Sequence, residues 1–182
     1  ALPIWEFMGL PFYTDERALI PRQDTELLAE TVIQYCRERG YKTCLDLCTG
    51  GGCVAISVAK LAGVEMTASD ISEDALTLAR ENAALNETQV RFVKSDLFGQ
   101  IEGTFDLITC NPPYLTLEEM RHLQKEITFE PAMALYGGGD GLDFYRKIAW
   151  EYKPQLNSGG ALLLEIGSTQ AQSATALFDA KT

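Results

Sequence analysis

The sequence predicts an α/β fold in which a doubly wound, mostly parallel sheet is covered by helices on both faces. Short apolar segments alternate along the chain with segments of helical periodicity, as expected for repeated strand–helix units. The short segments are apolar at successive positions, as in residues 160–166, which is typical of strands buried on both sides. The chain of 182 residues can bury such a core without disulfides or a metal. We therefore expect the strand order 3-2-1-4-5, counted along the chain.

The first 23 residues are expected to form an arm or hairpin, and residues 24–182 the main domain. Aromatic residues and turn formers are frequent in the arm. Asp24 can cap a first helix over Thr25–Arg39, because Asp is a preferred N-cap residue. Gly40 is expected to end this helix, since glycine tolerates the left-handed conformation found there.

Each later element has its own local signal. Apolar runs predict five strands: Thr43–Cys48, Glu65–Ser69, Val90–Lys94, Phe105–Cys110 and Gly160–Ile166. Caps and periodicity predict helices that end at Leu61, run from Ser72 to Asn86, start in the Thr116/Glu119 capping box, and span Leu142–Tyr152 and Gln170–Phe178.

Composition excludes several classes of function. The formal net charge of −11 repels phosphate backbones and anionic lipids, which argues against free DNA and membrane surfaces as partners. No apolar run approaches the ~20 residues of a membrane span. The five cysteines contain no Cys-x-x-Cys pair, and His122, in a charged segment over residues 117–126, is the only histidine. We expect no metal site and a reducing, cytoplasmic location.

A glycine loop after the first predicted strand is the first chemical signal. Gly50, Gly51 and Gly52 let the backbone turn tightly and bring it close to a ligand at a helix N-terminus. Asp70 ends the next strand, where a carboxylate can accept hydrogen bonds from the hydroxyl groups of a ribose. Two ligands fit this loop. The pattern Gly50-x-Gly52-x-x-Ala55 is compatible with a dinucleotide, whereas the loop preceded by the acidic residue Asp46 resembles the first motif of methyltransferases that bind S-adenosylmethionine.

A tetrapeptide after the fourth strand decides between these ligands. Strands 1 and 4 flank the switch point of the sheet, so the glycine loop and Asn111-Pro112-Pro113-Tyr114 are expected to meet in one crevice. The Asn111 side-chain oxygen and the Pro112 carbonyl can accept two N–H groups of a planar amide or amino nitrogen, and Tyr114 offers an aromatic face. Positioning of this kind can lower the barrier to methyl transfer by about 7–11 kcal/mol, so no histidine base is required. The tetrapeptide therefore favours S-adenosylmethionine over a dinucleotide.

The chain resembles the HemK/PrmC family, the protein-(glutamine-N5) methyltransferases of peptide chain release factors. Five stretches carry the resemblance: residues 7–12 with 19–26, residues 46–52, residues 95–98, residues 111–114, and residues 130–135 with 138–145. The tetrapeptide is shared with DNA and RNA amino-methyltransferases. The Leu-Ile-Pro-Arg and Gly-Gly-Asp-Gly-Leu-Asp segments are therefore the more specific evidence for this family.

The resemblance implies a fold of the class I methyltransferase type, S-adenosylmethionine as cofactor with S-adenosylhomocysteine as product, and a release factor as protein partner. The residues implied to hold the cofactor are Asp46, Cys48, Thr49, Gly50, Gly51, Gly52, Asp70, Asp96, Leu97 and Asn111. Those implied to hold the substrate glutamine, and so to be catalytic, are Asn111, Pro112, Pro113 and Tyr114. Leu19, Arg22 and Glu130 would lie on the substrate side; Arg22 and Glu130 also admit purely structural roles, as an ion-pair partner and a helix-end charge.

The chain departs from the family pattern in several places. Gln23 stands where proline is usual, Cys48 replaces a frequent glycine, and Gly51 replaces a Thr or Ser. Nothing in the sequence corresponds to the family's N-terminal helical domain, and two further strands are expected after the last helix. We interpret the sequence as a catalytic domain without these parts.

Two rival functions remain. The sister family that methylates a glutamine of a ribosomal protein shares much of the loop, but Arg22-Gln-Asp-Thr-Glu26 favours the release-factor family. An adenine-N6 methyltransferase of nucleic acid would need a basic groove, whereas the basic clusters here are isolated among acidic residues.

Overall fold

The computed structural model describes residues 2–123 and 129–179. A five-stranded parallel sheet forms its centre, and an antiparallel hairpin precedes it. The strands are β1 (Ile4–Phe7), β2 (Leu10–Tyr13), β3 (Thr43–Leu47), β4 (Glu65–Asp70), β5 (Arg91–Lys94), β6 (Phe105–Cys110) and β7 (Leu156–Leu164). The helices are α1 (Gln23–Arg39), α2 (Cys53–Ala62), α3 (Glu73–Leu85), α4 (Leu117–Arg121), α5 (Asp143–Glu151) and α6 (Ala171–Asp179).

The sheet has the order β5-β4-β3-β6-β7, which confirms the predicted 3-2-1-4-5 arrangement. All four strand pairings in it are parallel, so the strands direct their carboxyl ends to one edge. β3 lies between β4 and β6, and the chain reverses its direction of winding there. Because ligands of open parallel sheets bind outside such a switch point, this edge is the place to look for the functional site.

Two hydrophobic clusters account for most of the core. One contains the buried faces of α1 and α2 with Cys44, Met66 and Leu107 of the sheet. The other packs Ile148 of α5 against further strand residues, including Leu45 and Ile108. Since neighbouring residues of β3 and β6 enter different clusters, both faces of the sheet are covered, as the continuous apolar strands predict.

The hairpin β1–β2 is attached to the main body by two phenylalanines and two asparagines. Phe7 and Phe12 are each 1% exposed, and their rings make an edge-to-face contact with centroids 6.1 Å apart. Asn82 and Asn86, on consecutive turns at the end of α3, bond to the backbone of β2. The hairpin is therefore packed against α3 rather than extended into solvent.

The predicted start of the first helix is wrong. α1 begins at Gln23, with Arg22 at the N-cap position and no side-chain cap, so Asp24 lies inside the first turn. Glu26, also in the first turn, accepts the backbone N–H of Met8 and so connects the start of α1 to the hairpin. An acidic residue in the first turn still interacts favourably with the helix dipole.

The predicted boundaries of the last strand are also wrong. β7 runs from Leu156 to Leu164, not from Gly160 to Ile166, because Phe105 of β6 pairs with Leu156 before an irregularity shifts the register and Leu107 pairs with Ala161. Other predicted features hold: Gly40 ends α1, Ser72 caps α3, and Thr116 with Glu119 forms a capping box. His122 lies just after α4, and residues 124–126 of its predicted charged helix lie outside the described residues.

Candidate active site

A cleft with a volume of about 350 Å³ lies at the carboxyl edge of the sheet. Its floor is made by the segments that follow β3, β4, β5 and β6. Residues 12–22 of the N-terminal arm form one wall, and Pro131 and Met133 lie on another side. The predicted residues that line it are Leu19, Arg22, Asp46, Cys48, Thr49, Gly50, Gly51, Asp70, Asp96, Leu97, Asn111 and Pro113.

The loop of residues 48–52, here called the glycine loop, is fixed by hydrogen bonds to both strands that flank it. Thr49 donates its N–H to the carbonyl of Ser69 and its hydroxyl to Asp46. Gly50, at φ 57°, donates its N–H to the Asp70 carboxylate. Gly52, at φ 85°, is so closely surrounded that a Cβ there would lie 2.9 Å from the Ile56 side chain of α2 and 3.2 Å from Ala79 of α3. Glycine is required at these two positions by backbone conformation, and at the second also by space.

Asp46 is the most deeply buried acidic side chain of the cleft, at 2% exposure. Its Oδ2 accepts the Thr49 hydroxyl at 2.7 Å. Burial raises the pKa of Asp46 to about 7, because removal from water disfavours the charged form. The negative charge of the neighbouring Asp70 also raises this pKa, whereas the hydrogen bond from Thr49 lowers it. This carboxyl group can therefore change its charge near neutral pH.

Asp70, at the end of β4, holds two turns of backbone. Its Oδ2 accepts the N–H of Gly50 and its Oδ1 accepts the N–H of Ser72, each at 2.9 Å. Burial raises the pKa of Asp70, and these N–H groups oppose the rise. Each carboxylate oxygen has a second lone pair, so Asp70 retains the capacity to accept hydroxyl donors from a ligand.

The turn after β5 presents Asp96 and Leu97 to the cleft. Leu97 adopts φ 47°, a left-handed conformation that is uncommon for a residue with a side chain. The Ser95 hydroxyl stabilises this turn by donating to the Leu97 carbonyl at 2.7 Å and accepting the N–H of Gln100. Leu97 is 4% exposed and belongs to the core, so the strained turn brings an apolar side chain and an acidic one to the same part of the cleft.

Asn111 is held by a residue for which the sequence predicts no role. Its Nδ2 donates to the hydroxyl oxygen of Thr25, on α1, at 3.3 Å. This bond uses the donor end of the amide, so the amide oxygen remains an acceptor. Thr25 lines the cleft. Burial raises the pKa of the Glu165 carboxyl, which follows β7, and a hydrogen bond with the Thr25 side chain opposes this rise.

Four of the predicted site residues do not line the cleft. Gly52 and Pro112 are buried behind it. Tyr114 lines a second cavity, between α1 and the end of β7, and burial raises the pKa of its hydroxyl. Glu130 is 9% exposed and lies behind the wall formed by the N-terminal arm.

Glu130 attaches the wall formed by Leu19–Arg22 to the main body. One carboxylate oxygen of Glu130 accepts the backbone N–H of Ile20 at 2.9 Å, and the other forms an ion pair with Arg22. Arg22 is thus an ion-pair partner and also lines the cleft, and its role on the substrate side stays a prediction.

Three further residues at the cleft have no role predicted from the sequence. Thr25 and Phe144 line it, and Asn82 contacts both the glycine loop and the arm. Thr25 belongs to the Arg22–Glu26 stretch, which could have indicated it. Asn82 lies on a helix face between apolar positions, and a buried Asn at that place is the only signal that the sequence offers.

Within residues 2–123 and 129–179, no three His, Cys, Asp or Glu side chains are grouped so that they could hold a metal ion. Over the same residues, none of the helices combines the length and hydrophobicity needed to cross a bilayer.

The sheet order and the cleft at its switch point define the class I methyltransferase fold. The chain belongs to the methyltransferase small domain family, whose model matches residues 23–157. Solved structures share the fold: a methyltransferase from Pyrococcus furiosus has a TM-score of 0.69 and 24% identity, and covers 95% of this chain and 78% of its own. A 16S rRNA methyltransferase from Thermus thermophilus, solved with AdoMet and guanosine, has the same TM-score at 17% identity over 100% of this chain and 45% of its own.

Among relatives of known function, this chain is similar to release factor glutamine methyltransferases. The enzyme of Clostridium acetobutylicum is 42% identical over 96% of this chain, and that of Fusobacterium nucleatum is 44% identical over 92%. The predicted resemblance is thereby confirmed. The chain spans 64% and 49% of the lengths of these two relatives.

Proposed function

We propose that this domain transfers a methyl group from S-adenosylmethionine to the side-chain amide nitrogen N5 of a glutamine in a peptide chain release factor. The observation that carries the proposal is the arrangement of one cleft, in which the glycine loop, Asp70 and Asn111 face the same space. The similarity to release factor glutamine methyltransferases over nearly the whole chain supports the choice of substrate.

The side chains of the cleft fit this cofactor. S-adenosylmethionine would supply a methyl group bonded to a positively charged sulfur, which becomes neutral as the C–S bond breaks and the methyl–nitrogen bond forms. The carboxyl groups of Asp46, Asp70 and Asp96 line the cleft, whereas its two arginines are ion-paired with acidic residues and its lysine, Lys147, is exposed. This group of carboxyl side chains suits a cationic ligand, and the remaining acceptor capacity of Asp70 suits the hydroxyl groups of a ribose.

We assign the orientation of the substrate amide to Asn111 and the prolines after it. The Asn111 oxygen and the Pro112 carbonyl would each accept one N–H of the glutamine, which fixes the nitrogen and favours the positive charge that develops on it. Thr25 keeps the amide of Asn111 turned with its oxygen available. No general base is needed before the transfer, and the proton leaves the methylated nitrogen afterwards. Tyr114 would support the tetrapeptide from the second cavity.

The remaining parts of the cleft would define the substrate side. Leu19–Arg22, held by Glu130, would cover the glutamine once it has entered. The net charge of −11 is compatible with a protein loop as substrate and unfavourable for nucleic acid. A release factor as substrate also agrees with the cytoplasmic location expected from the cysteines.

The test presents isotopically labelled S-adenosylmethionine together with release factor, ribosomal protein or DNA in separate reactions. We expect label in the release factor alone, and none in a release factor whose Gly-Gly-Gln glutamine is replaced by alanine. Label in the ribosomal protein alone would move the enzyme to the sister family. Label in DNA alone would overturn the assignment to a protein substrate.

A further inference from the structure

Asn82, on α3, makes three hydrogen bonds to backbone groups that belong to two different parts of the cleft. Its Oδ1 accepts the N–H of Tyr13 at 2.7 Å, and its Nδ2 donates to the carbonyl of the same residue at 3.2 Å. The Nδ2 also donates to the carbonyl of Gly51 at 2.9 Å. The side chain thus pairs with Tyr13 as a neighbouring strand would, and uses its second amide hydrogen for the glycine loop.

The surroundings leave this amide little freedom. Asn82 is 1% exposed, so its polar atoms have no access to bulk water. The glycine loop packs on the same face of α3, where a Cβ on Gly51 would lie 3.4 Å from Leu78 and one on Gly52 would lie 3.2 Å from Ala79. The Gly51 carbonyl is partly buried, so losing the bond from Asn82 would cost free energy and weaken the restraint on the glycine loop.

We propose that Asn82 is a positioning residue that holds the glycine loop in its ligand-binding conformation and sets the N-terminal arm against it. The inference rests on the proposed function, because the ligand concerned is S-adenosylmethionine. Both segments held by Asn82 line the cleft: Gly51 as part of the glycine loop, and Tyr13 as part of the arm wall. The fixed Gly51 peptide in turn restrains Gly52, whose N–H donates to the Thr49 carbonyl.

A matched control exists one helical turn further along. Asn86 is also buried, at 4% exposure, and its Nδ2 also donates to the arm, at the Pro11 carbonyl, 2.8 Å away. Its bonds do not include one to the glycine loop; they go to Pro11 and Asn82. Substitutions at the two positions therefore both weaken the docking of the arm, and only those at Asn82 release the loop.

The experiment compares Asn82→Asp with Asn86→Asp, and uses Asn82→Ser and Asn86→Ser as a second pair if the aspartates prevent folding. Asp at position 82 can still accept the Tyr13 N–H, but it presents an oxygen instead of a donor to the Gly51 carbonyl. Kd for S-adenosylmethionine is measured by calorimetry, the KM for the cofactor and kcat by methylation of release factor, and the midpoint of unfolding by urea titration.

We expect the Asn82 variants to raise Kd and the cofactor KM by about tenfold, the effect of losing roughly 1.4 kcal/mol, with kcat at saturating cofactor nearly unchanged. The Asn86 variants should lower the unfolding midpoint to a similar degree and keep Kd within about twofold. Equal changes of Kd at both positions, or no change at Asn82, would overturn the inference. The proposed function would still stand in that case, provided that the wild-type protein binds the cofactor and methylates the release factor. Failure of the wild-type protein to bind the cofactor would overturn both.

Discussion

The hydrogen bond between Asn111 and Thr25 links the tetrapeptide to the start of α1. In water-accessible surroundings an Asn amide can present either end to a ligand, but a bond of 3.3 Å from Nδ2 to the Thr25 hydroxyl selects one orientation. Thr25 is 3% exposed, so the bond is protected from exchange with solvent. The acceptor that we assign to the substrate glutamine therefore depends on a side chain from another element.

Replacement of Thr25 by valine keeps the shape of the side chain and removes the acceptor. We expect kcat for glutamine methylation to fall about fivefold, since one hydrogen bond contributes roughly 1 kcal/mol and the amide could then rotate. Kd for S-adenosylmethionine should change less than about twofold. Thr31→Val is the control, because among the described residues the Thr31 hydroxyl bonds to the Leu27 carbonyl of the same helix and not to the cleft. A loss of affinity equal to the loss of kcat would contradict a positioning role for Thr25.

Asp46 predicts a pH dependence of both stability and cofactor binding. Its folded-state pKa of about 7 exceeds the ordinary 3.8, so the folded chain holds a proton that the unfolded chain releases over this range. Stability of the free protein should therefore fall as pH rises from 3.8 to about 7. Affinity for the cationic cofactor should rise over the upper part of the same range, because the ionised carboxylate attracts it.

Asp46→Asn isolates this group, since its amide oxygen can still accept the Thr49 hydroxyl. Calorimetric titrations between about pH 6 and 7.5 should show affinity increasing in the wild-type protein and a flatter profile in the variant. Asp70, whose pKa burial also raises, remains in both proteins as an internal reference. Identical slopes in the two proteins would exclude Asp46 as the titrating group.

Sequence patterns indicate which residues approach the cleft more reliably than they indicate what holds them. The glycine loop, Asp70 and Asn111 could be located because strand ends of a parallel sheet converge. The Asn111–Thr25 bond joins residues 86 positions apart, and no local pattern encodes it. Roles predicted for single side chains of the cleft stay predictions until a bound ligand is measured.

At the scale of elements, the wall formed by Leu19–Arg22 is attached through Glu130. The Glu130 carboxylate holds the Ile20 N–H and the Arg22 guanidinium at once. Its side chain is 5% exposed, whereas that of Arg22 is 42% exposed, so the pair anchors a partly solvated segment to a buried point.

Loss of this anchor should release the segment. In Glu130→Ala we expect trypsin to cleave after Arg22 several-fold faster than in the wild-type protein, because local opening controls access of the protease. Mass spectrometry of timed digests identifies the site. Glu119→Ala, which removes the capping box of α4 and does not contact the segment, should leave the rate at Arg22 unchanged. An unchanged rate in Glu130→Ala would show that other contacts hold the wall.

The N-terminal hairpin is a second element whose attachment can be measured. Phe12 is 1% exposed and meets Phe7 edge to face, so Phe12→Ala leaves a cavity beneath the arm. We expect a loss of about 3–5 kcal/mol in the free energy of unfolding, measured by urea titration. Ile4→Ala, at a position 62% exposed in the same hairpin, should cost less than about 1 kcal/mol. Similar losses at the two positions would mean that the hairpin is not part of the cooperative core.

Element types could be predicted from the sequence, but some boundaries could not. Gly40 and Ser72 act locally, through left-handed backbone and a side-chain cap, and they mark the element ends where expected. At the start of α1 the predicted cap, Asp24, lies inside the first turn, and in β7 the pairing with β6 sets the boundary. Local cap preferences are worth only about 1 kcal/mol, which tertiary packing easily exceeds.

At the scale of the whole molecule, charge and fold together restrict the partners. The same fold occurs in rRNA and protein methyltransferases, so the sheet alone does not select a substrate. The net charge of −11 disfavours an extended nucleic-acid groove and permits a protein loop that enters a compact cleft.

The most direct test of the central claim is tandem mass spectrometry of a release factor after incubation with this protein and S-adenosylmethionine. We expect a mass increase of one methylene group located on the Gly-Gly-Gln glutamine. This increase should be nearly absent with the Asn111→Ala variant, compared at a cofactor concentration that occupies both proteins equally. A methyl group on any other residue, or equal methylation by the Asn111 variant, would contradict the proposed substrate or the role of the tetrapeptide.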